Sequence, residues 1–153
     1  MTKIEKILAA YERFGTLIEG VPDEQAVSLR RMSSGARELI AEAKAYSPKV
    51  NASQMSAGLE QGLRELPLLI LQVDPAWREK AAKALHEALV TEYPEFIASE
   101  SEKLRKILDR RKIRTESEFY RVRHEIDVLE GIPGRRSELQ NLYALVEAYE
   151  NRS

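Results

Sequence analysis

The chain has 153 residues and is rich in both hydrophobic (43%) and charged (32%) side chains, which is typical of a folded globular protein. Its 24 Lys and Arg residues nearly balance its 25 Asp and Glu residues, so the molecule as a whole has no field that attracts nucleic acid or an acidic membrane. The absence of cysteine excludes disulfides, thiol nucleophiles and metal sites built on thiolates.

The N-terminal segment and the longest apolar run together predict a cytoplasmic protein. Residues Met1 to Leu8 alternate charged and apolar side chains and lack the apolar region of a signal peptide. The longest apolar run, Leu66 to Val73, is far shorter than the ~20 residues that a membrane-spanning helix needs. We therefore expect no contact with a membrane. We expect one all-α domain over residues 1–153, built as a bundle of six or seven helices.

The apolar run from Leu66 to Val73 predicts the centre of this fold, because so much hydrocarbon would aggregate if it were exposed. A lone strand at this point would leave its hydrogen-bonding edges unpaired, and the chain offers no second strand. We therefore expect a short buried helix. Pro67 is expected to end or bend the preceding helix, which begins at Asn51, since proline lacks the N–H that the helix requires.

Two helices are predicted before this run. The first begins with a Thr-x-x-Glu capping box and ends at Gly20, which can adopt the left-handed conformation of a helix cap. The second extends from Asp23 to about Tyr46, and the weak helix formers at 33–35 predict a kink or a local break. The residues predicted to form its inner face are Ala26, Val27, Leu29, Met32, Ala36, Leu39, Ile40 and Ala43.

The second half of the chain predicts further helices and a helical hairpin. Asp74 before Pro75 is typical of an N-cap, and Pro94 indicates a kink or a break in a segment that continues to about Arg111. Two stripes with coiled-coil-like spacing then predict an antiparallel hairpin at about 115–150. The stripes consist of Phe119, Val122, Ile126 and Leu129, and of Leu139, Leu142, Val146 and Tyr149.

A basic run from Lys103 to Arg114 is the sharpest anomaly of the sequence, since Asp109 is the only acid within it. One interpretation is a solvated helix end, because basic residues are favoured in the last turns of a helix. A second interpretation is an interface for an acidic protein partner. A third is a nucleic-acid-binding helix-turn-helix over 103–123, in which Tyr120, Arg121 and Arg123 would meet base edges.

The arginines and aromatic residues of the predicted hairpin can also be explained by contacts within the fold. Arg121 lies four residues before Glu125, and Arg123 lies four residues before Asp127, so both can form surface ion pairs. Tyr143, Leu145 and Tyr149 indicate more apolar surface on the hairpin than one seam can bury, which is typical of an interface or of packing on other helices.

The chemistry of an enzyme is poorly represented in this chain. His86 and His124 are the only histidines, and neither lies in a metal-binding or nucleophile motif. We expect surface histidines, no catalytic residue, no metal and no cofactor. An enzyme with a polar site between helices, using His86 or His124 as an acid or base, is retained as an alternative.

The sequence therefore predicts a non-enzymatic binding or regulatory protein. Its partner is expected to be a protein, with a second copy of this chain as one option, and a nucleic acid is the alternative. The expected partner-binding residues are Arg110, Arg111, Lys112, Arg114, Tyr120 and Arg121.

Overall fold

The structure is a computed structural model that describes residues 1–152, and in that range it contains eight α-helices and no strand. The helices are α1 (Lys3–Leu17), α2 (Glu24–Ser34), α3 (Ala36–Tyr46), α4 (Ala52–Ile70), α5 (Pro75–Glu92), α6 (Pro94–Arg110), α7 (Glu116–Leu129) and α8 (Arg136–Glu150). The predicted all-α class is confirmed.

The described part of the chain has more helices than the six or seven that were predicted. The helix expected from Asp23 to Tyr46 is two helices, which meet at Gly35. The backbone N–H of Gly35 still bonds to the carbonyl of Arg31 at 3.0 Å, but α2 ends there because weak helix formers accumulate at this point. At Pro94, where a kink or a break was expected, the structure has the break, since α5 ends at Glu92 and α6 begins at Pro94.

The apolar run does not form the separate buried helix that was predicted. Its residues up to Ile70 complete α4, which therefore contains Pro67 in its interior, and residues 71–73 form the turn that follows. Leu66, Ile70 and Val73 are fully buried, whereas Leu68 is exposed. The run is therefore the last part of a longer amphipathic helix and the turn after it, and only its buried side chains belong to the core.

Side chains from neighbouring helices complete the hydrogen bonding at the end of α4. Gln25 donates from Nε2 to the carbonyl of Leu69 at 3.1 Å. Arg78 donates from Nη2 to the carbonyls of Leu71 at 2.8 Å and Val73 at 3.2 Å. Since the last carbonyls of a helix have no partner within it, these two side chains fix where α4 ends.

Backbone contacts divide the chain into two compact units, Met1–Pro94 and Glu95–Ser153, of which the second is described up to residue 152. They are called unit 1 and unit 2 below, and each is described by itself. The prediction of one domain for the whole chain stays a prediction.

Unit 1 is assembled around α1, which contacts α2, α3, α4 and α5. Apolar residues recur along α1 at spacings of three and four, which places them on one stripe, and Ile7, Leu8, Tyr11 and Phe14 of this stripe are buried. The largest fully buried side chains that the other parts of unit 1 contribute are Ile18, Leu63, Leu66, Ile70, Val73 and Leu85.

A group of polar side chains, which we call the Glu60 cluster, joins three of these helices. The carboxylate of Glu60 (α4) pairs with Lys3 (α1) at 2.8 Å and with Arg64 at 3.3 Å, and it accepts a hydrogen bond from the hydroxyl of Tyr93, which follows α5. Burial opposes ionisation of Glu60. The hydrogen bonds from Lys3 and Tyr93 and the charges of Lys3 and Arg64 outweigh it, so the pKa of this carboxyl lies below its usual value.

The inner face predicted for the Asp23–Tyr46 segment is wrong in its second half. Ala26, Leu29 and Ala36 are buried as expected. Met32, Leu39 and Ala43 are exposed instead. The pattern correctly placed Leu39 and Ala43 on one stripe of a helix, but a stripe does not reveal whether a neighbour covers it.

Unit 2 is built on a core to which α6, α7, α8 and the connection between α6 and α7 contribute. Ile107, Ile113 and Leu142 are buried in this core. The two predicted stripes of α7 and α8 both belong to it, so the prediction that they pack together is confirmed. Their members are Phe119, Val122, Ile126, Leu129, Leu139, Leu142, Val146 and Tyr149.

Between residues 1 and 152, no group of three or more His, Asp and Glu side chains is placed so that it could hold a metal ion. Over the same residues, no helix combines the length and the apolar composition that crossing a bilayer demands.

Candidate partner-binding site

The basic elbow, by which we mean residues 110–115 between α6 and α7, is the strongest candidate site. Arg111 ends α6 in the left-handed conformation with φ 60°, and its N–H bonds to the carbonyl of Ile107. Two residues later, Ile113 is buried at 4% exposure in the core of unit 2. Because Ile113 points inward, its neighbours Lys112 and Arg114 point toward solvent.

The carboxylate of Glu118 (α7) holds this connection in shape. It pairs with Arg110 at 2.5 Å and accepts the backbone N–H of Arg114 at 2.7 Å. Arg110 also donates from Nε to the carbonyl of Lys112 at 3.1 Å. The hydroxyl of Thr115 accepts the N–H of Glu118 at 3.1 Å, which gives α7 its N-cap.

These contacts set the charge state of Glu118. Burial opposes its ionisation, but the hydrogen bonds from Arg110 and the N–H of Arg114, together with the charge of Arg110, outweigh that effect. The pKa of the Glu118 carboxyl is therefore lowered, and the group is ionised at neutral pH. Arg110, with 25% of its side chain exposed, is held by this carboxylate instead of being offered to a partner.

Three cations of the elbow remain available. Arg111, Lys112 and Arg114 are exposed, and within residues 1–152 none of their side chains forms an ion pair. They lie within four consecutive positions whose backbone is fixed by Ile113 and Glu118. The elbow therefore presents three positive charges from a backbone whose shape is already determined.

The other two predicted site residues are occupied. Tyr120 donates its hydroxyl to Glu116 at 2.8 Å, and this hydrogen bond raises the pKa of Tyr120. Arg121 pairs with Glu100 (α6) at 3.0 Å and not with Glu125, the partner that spacing alone indicated. Arg123 lies 3.8 Å from Asp127, as predicted. The exposed face proposed to read bases therefore carries arginines already paired within unit 2.

The basic run as a whole is less basic than its sequence indicates. Lys103 lies 3.6 Å from Glu100, and Arg105 pairs with both Glu102 and Asp109. Asp109 was the only opposing acid within the run, but acids before and after it supply the other pairs. The free positive charge is therefore concentrated at the elbow.

The aromatic residues of the predicted hairpin are divided between the core and the surface. Tyr149 stacks on Phe119 with ring centroids 5.3 Å apart. The guanidinium of Arg152 lies over the ring of Tyr149, 3.8 Å from the ring centroid. Tyr143 is exposed, and Leu145 is partly buried against the core. Most of the expected excess apolar surface is therefore used inside unit 2.

The two histidines lie in different units. His86 is half-buried on α5 of unit 1, and burial lowers its pKa, which keeps the ring neutral at pH 7. His124 is on α7 of unit 2.

Sequence reasoning missed the role of Glu118. The Thr115-x-x-Glu118 spacing is that of a capping box, in which Glu118 would accept the N–H of Thr115. In the structure the carboxylate also accepts the N–H of Arg114 and pairs with the side chain of Arg110. The eight-residue separation of Arg110 and Glu118 crosses a turn, so no helical spacing rule could have paired them.

Comparison with known proteins finds no family model, no curated protein and no solved structure that matches this chain. The class that fold and site define is an all-helical protein with a shaped basic elbow.

Proposed function

We propose that this chain is a non-enzymatic binding protein of the cytoplasm that recognises an acidic segment of a protein partner through Arg111, Lys112 and Arg114. The observation that carries the proposal is that these three cations are exposed and unpaired on a backbone held at Ile113 and Glu118. In this proposal α7 and α8 form the antiparallel hairpin that supports the elbow.

A fixed backbone favours binding because less conformational entropy is lost when the partner docks. Arg110 contributes to this shape through Glu118 and the carbonyl of Lys112. The three free cations supply electrostatic complementarity, which raises the association rate and selects acidic partners. Arg110 is therefore a positioning residue of the elbow, and the other three make the contacts.

A protein partner is favoured over nucleic acid by the surroundings of the elbow. Arg121, which a helix-turn-helix would use on bases, is bound to Glu100. A nucleic-acid regulator stays the alternative. An enzyme using His86 or His124 stays a prediction for which no substrate class can be named.

The test is a titration of the protein against a fluorescently labelled poly-glutamate peptide, followed by anisotropy, with labelled single- and double-stranded DNA and RNA measured in parallel. Salt is set at about 50 and about 200 mM, since phosphate contacts weaken steeply over that range. We expect the peptide to bind and the nucleic acids to bind more weakly at both salt concentrations.

The decisive variant replaces Arg111, Lys112 and Arg114 with alanine. We expect its affinity for the peptide to fall about tenfold or more, because three rim ion pairs of about 0.5 kcal/mol each are lost. The matched control replaces Arg31, Lys44 and Arg136, three exposed cations elsewhere, and is expected to keep its affinity. Equal losses in the two variants would reduce the effect to net charge and refute the elbow as the site. Tighter binding of nucleic acid that the elbow variant abolishes would replace the proposal with its alternative.

A further inference from the structure

Thr115, the last residue of the basic elbow, is distinguished by the residues that precede it. Four of the five positions before it are occupied by Lys or Arg, whereas no other Ser or Thr of the chain has more than two such residues in its five preceding positions. Its hydroxyl therefore follows the densest basic segment of the sequence. The four cations are Arg110, Arg111, Lys112 and Arg114.

The structure leaves this hydroxyl open to solvent. Thr115 is exposed and has an extended backbone, with φ −131° and ψ 159°. The three residues before it, 112–114, belong to neither α6 nor α7. The Thr115 oxygen accepts one hydrogen bond, from the N–H of Glu118 at 3.1 Å, so its second lone pair stays free to react. A hydroxyl that is exposed and lies outside a helix is accessible to a modifying enzyme.

Two serines of unit 1 provide the contrasting case. Arg30 and Arg31 lie within four positions before both Ser33 and Ser34. The side chain of Ser33 is fully buried, and both serines belong to α2, so neither has an extended backbone. Exposure and backbone conformation therefore separate Thr115 from hydroxyls that also follow basic residues.

We propose that Thr115 is a phosphorylation site for a protein kinase that selects basic residues before its acceptor, and that the phosphate switches the basic elbow off. Such a kinase recognises upstream cations by charge complementarity. Arg111, Lys112 and Arg114 are exposed and form no ion pair within residues 1–152, so they are free for this recognition. The switch rests on the proposed function, whereas the phosphorylation site does not.

The reaction transfers one phosphoryl group from ATP, which the kinase binds. The Thr115 oxygen bonds to the γ-phosphorus, and the bond from that phosphorus to the oxygen of the β-phosphate breaks, so that ADP leaves. The hydroxyl proton passes to the catalytic Asp of the kinase.

The phosphate changes the charge of the elbow. It adds about 1.5 to 2 negative charges at neutral pH, which offsets most of the three free positive charges. The nearest acids of α7 are already bonded, Glu116 to the hydroxyl of Tyr120 and Glu118 to Arg110. The free charges beside the phosphate are therefore the three cations, which it occupies in place of an acidic partner.

The experiment treats the full chain with ATP and with either cyclic-AMP-dependent protein kinase or protein kinase C, two kinases that select basic residues. Mass spectrometry of proteolytic fragments locates the phosphate. We expect it at Thr115 and not at Ser33. Thr115→Asn is expected to abolish the modification while keeping α7 capped, because Asn is as good an N-cap as Thr. The control Ser34→Ala is expected to keep the modification.

A chain that takes up no phosphate at Thr115 would overturn the proposal. A synthetic peptide of residues 108–120 then identifies the reason. A modified peptide would show that the fold hides the hydroxyl, and an unmodified peptide would show that the kinases do not recognise these cations.

The switch is tested by anisotropy with the poly-glutamate peptide before and after kinase treatment. We expect phosphorylation to lower the affinity of the natural chain about tenfold or more, as the loss of its free cations does. The same treatment is expected to leave the affinity of Thr115→Asn at its untreated value. Unchanged affinity of the phosphorylated natural chain would overturn the switch. Failure of the untreated chain to bind the peptide would instead refute the proposed function, and the phosphate at Thr115 would still decide the site.

Discussion

The Glu60 cluster and the basic elbow are both built from cations gathered around one glutamate. They differ in the number of cations that remain unpaired. In the cluster, Glu60 takes up both nearby cations, Lys3 and Arg64, together with the hydroxyl of Tyr93. At the elbow, Glu118 takes up the side chain of Arg110 and only the backbone N–H of Arg114. In the Glu60 cluster both cations are paired and help to join three helices, whereas at the elbow three cations stay exposed and unpaired.

The comparison shows that position relative to the core, and not residue type, decides what a charged side chain does. The acids that neutralise Lys103, Arg105 and Arg121 are supplied by α6 itself, so these cations are parts of the fold. Arg111, Lys112 and Arg114 follow the end of α6, and no acid pairs with their side chains within the described residues. A role in binding is therefore assigned to the charges that the fold does not use.

The largest effect is expected from removing the central acid of the Glu60 cluster. Glu60→Ala takes the acceptor from the hydroxyl of Tyr93 and the counter-charge from Lys3 and Arg64, and we expect a loss of about 1–3 kcal/mol in the free energy of unfolding. Urea denaturation measures it. As control, Glu79→Ala breaks an exposed pair with Lys83 and is expected to cost about 0.5 kcal/mol or less. Equal costs for both variants would show that the cluster is an ordinary surface network.

A smaller effect is expected at the elbow. Glu118→Ala removes the acceptor of the Arg114 N–H and the partner of Arg110, and should lower the free energy of unfolding by about 1–2 kcal/mol. The same urea titration applied to Lys112→Ala should give a change of about 0.5 kcal/mol or less, because that side chain has no partner to lose. A large cost for Lys112→Ala would contradict its assignment as a free cation.

The smallest effect on stability is expected at Glu125, a carboxyl of unit 2 whose environment disfavours its ionised form. Burial raises the pKa of Glu125, and Glu138 raises it further against the opposing effect of Arg135. The stability that this group contributes is therefore present below its unfolded pKa and lost as the pH rises through its folded pKa. Glu125→Gln should raise the unfolding midpoint at pH 7, with a difference that shrinks toward pH 4.

The pKa values of Glu60 and Glu118 are lowered, so these groups predict the opposite pH dependence. Their contribution is present above their unfolded pKa of about 4.3 and is lost as the pH falls through their folded values. Thermal melts between pH 3 and pH 7 distinguish the two kinds of group.

The control for Glu125→Gln is Glu147→Gln, which changes an exposed residue of α8. A gain of the same size in the unfolding midpoint of both variants would refute the role of burial at Glu125.

Local patterns predicted the parts of the fold that depend on neighbours in sequence. The N-caps at Asn51 and Asp74, the left-handed Gly20 and the two stripes of α7 and α8 are present as expected. Each of these depends on residues a few positions apart, so sequence spacing contains the required information.

The predictions that failed concern features that depend on contacts between residues far apart in sequence. Leu39 and Ala43 form a stripe, but only the arrangement of the other helices decides that it stays uncovered. Pro67 was expected to end or bend the helix, and it lies inside α4 without ending it. Arg121 pairs with Glu100, which lies 21 residues away, in preference to an acid one turn away. The sequence singled out the basic segment, but it could not separate the charges that are paired within the fold from those that stay free.

The most direct test of the central claim is an amide NMR titration of the labelled protein with the poly-glutamate peptide. We expect the backbone signals of residues 111–115 to shift first. We expect Arg110→Ala to weaken these shifts, because it loosens the elbow without removing its free cations. Shifts that begin at other exposed cations, such as Arg31 or Lys44, with the elbow unaffected, would contradict the account.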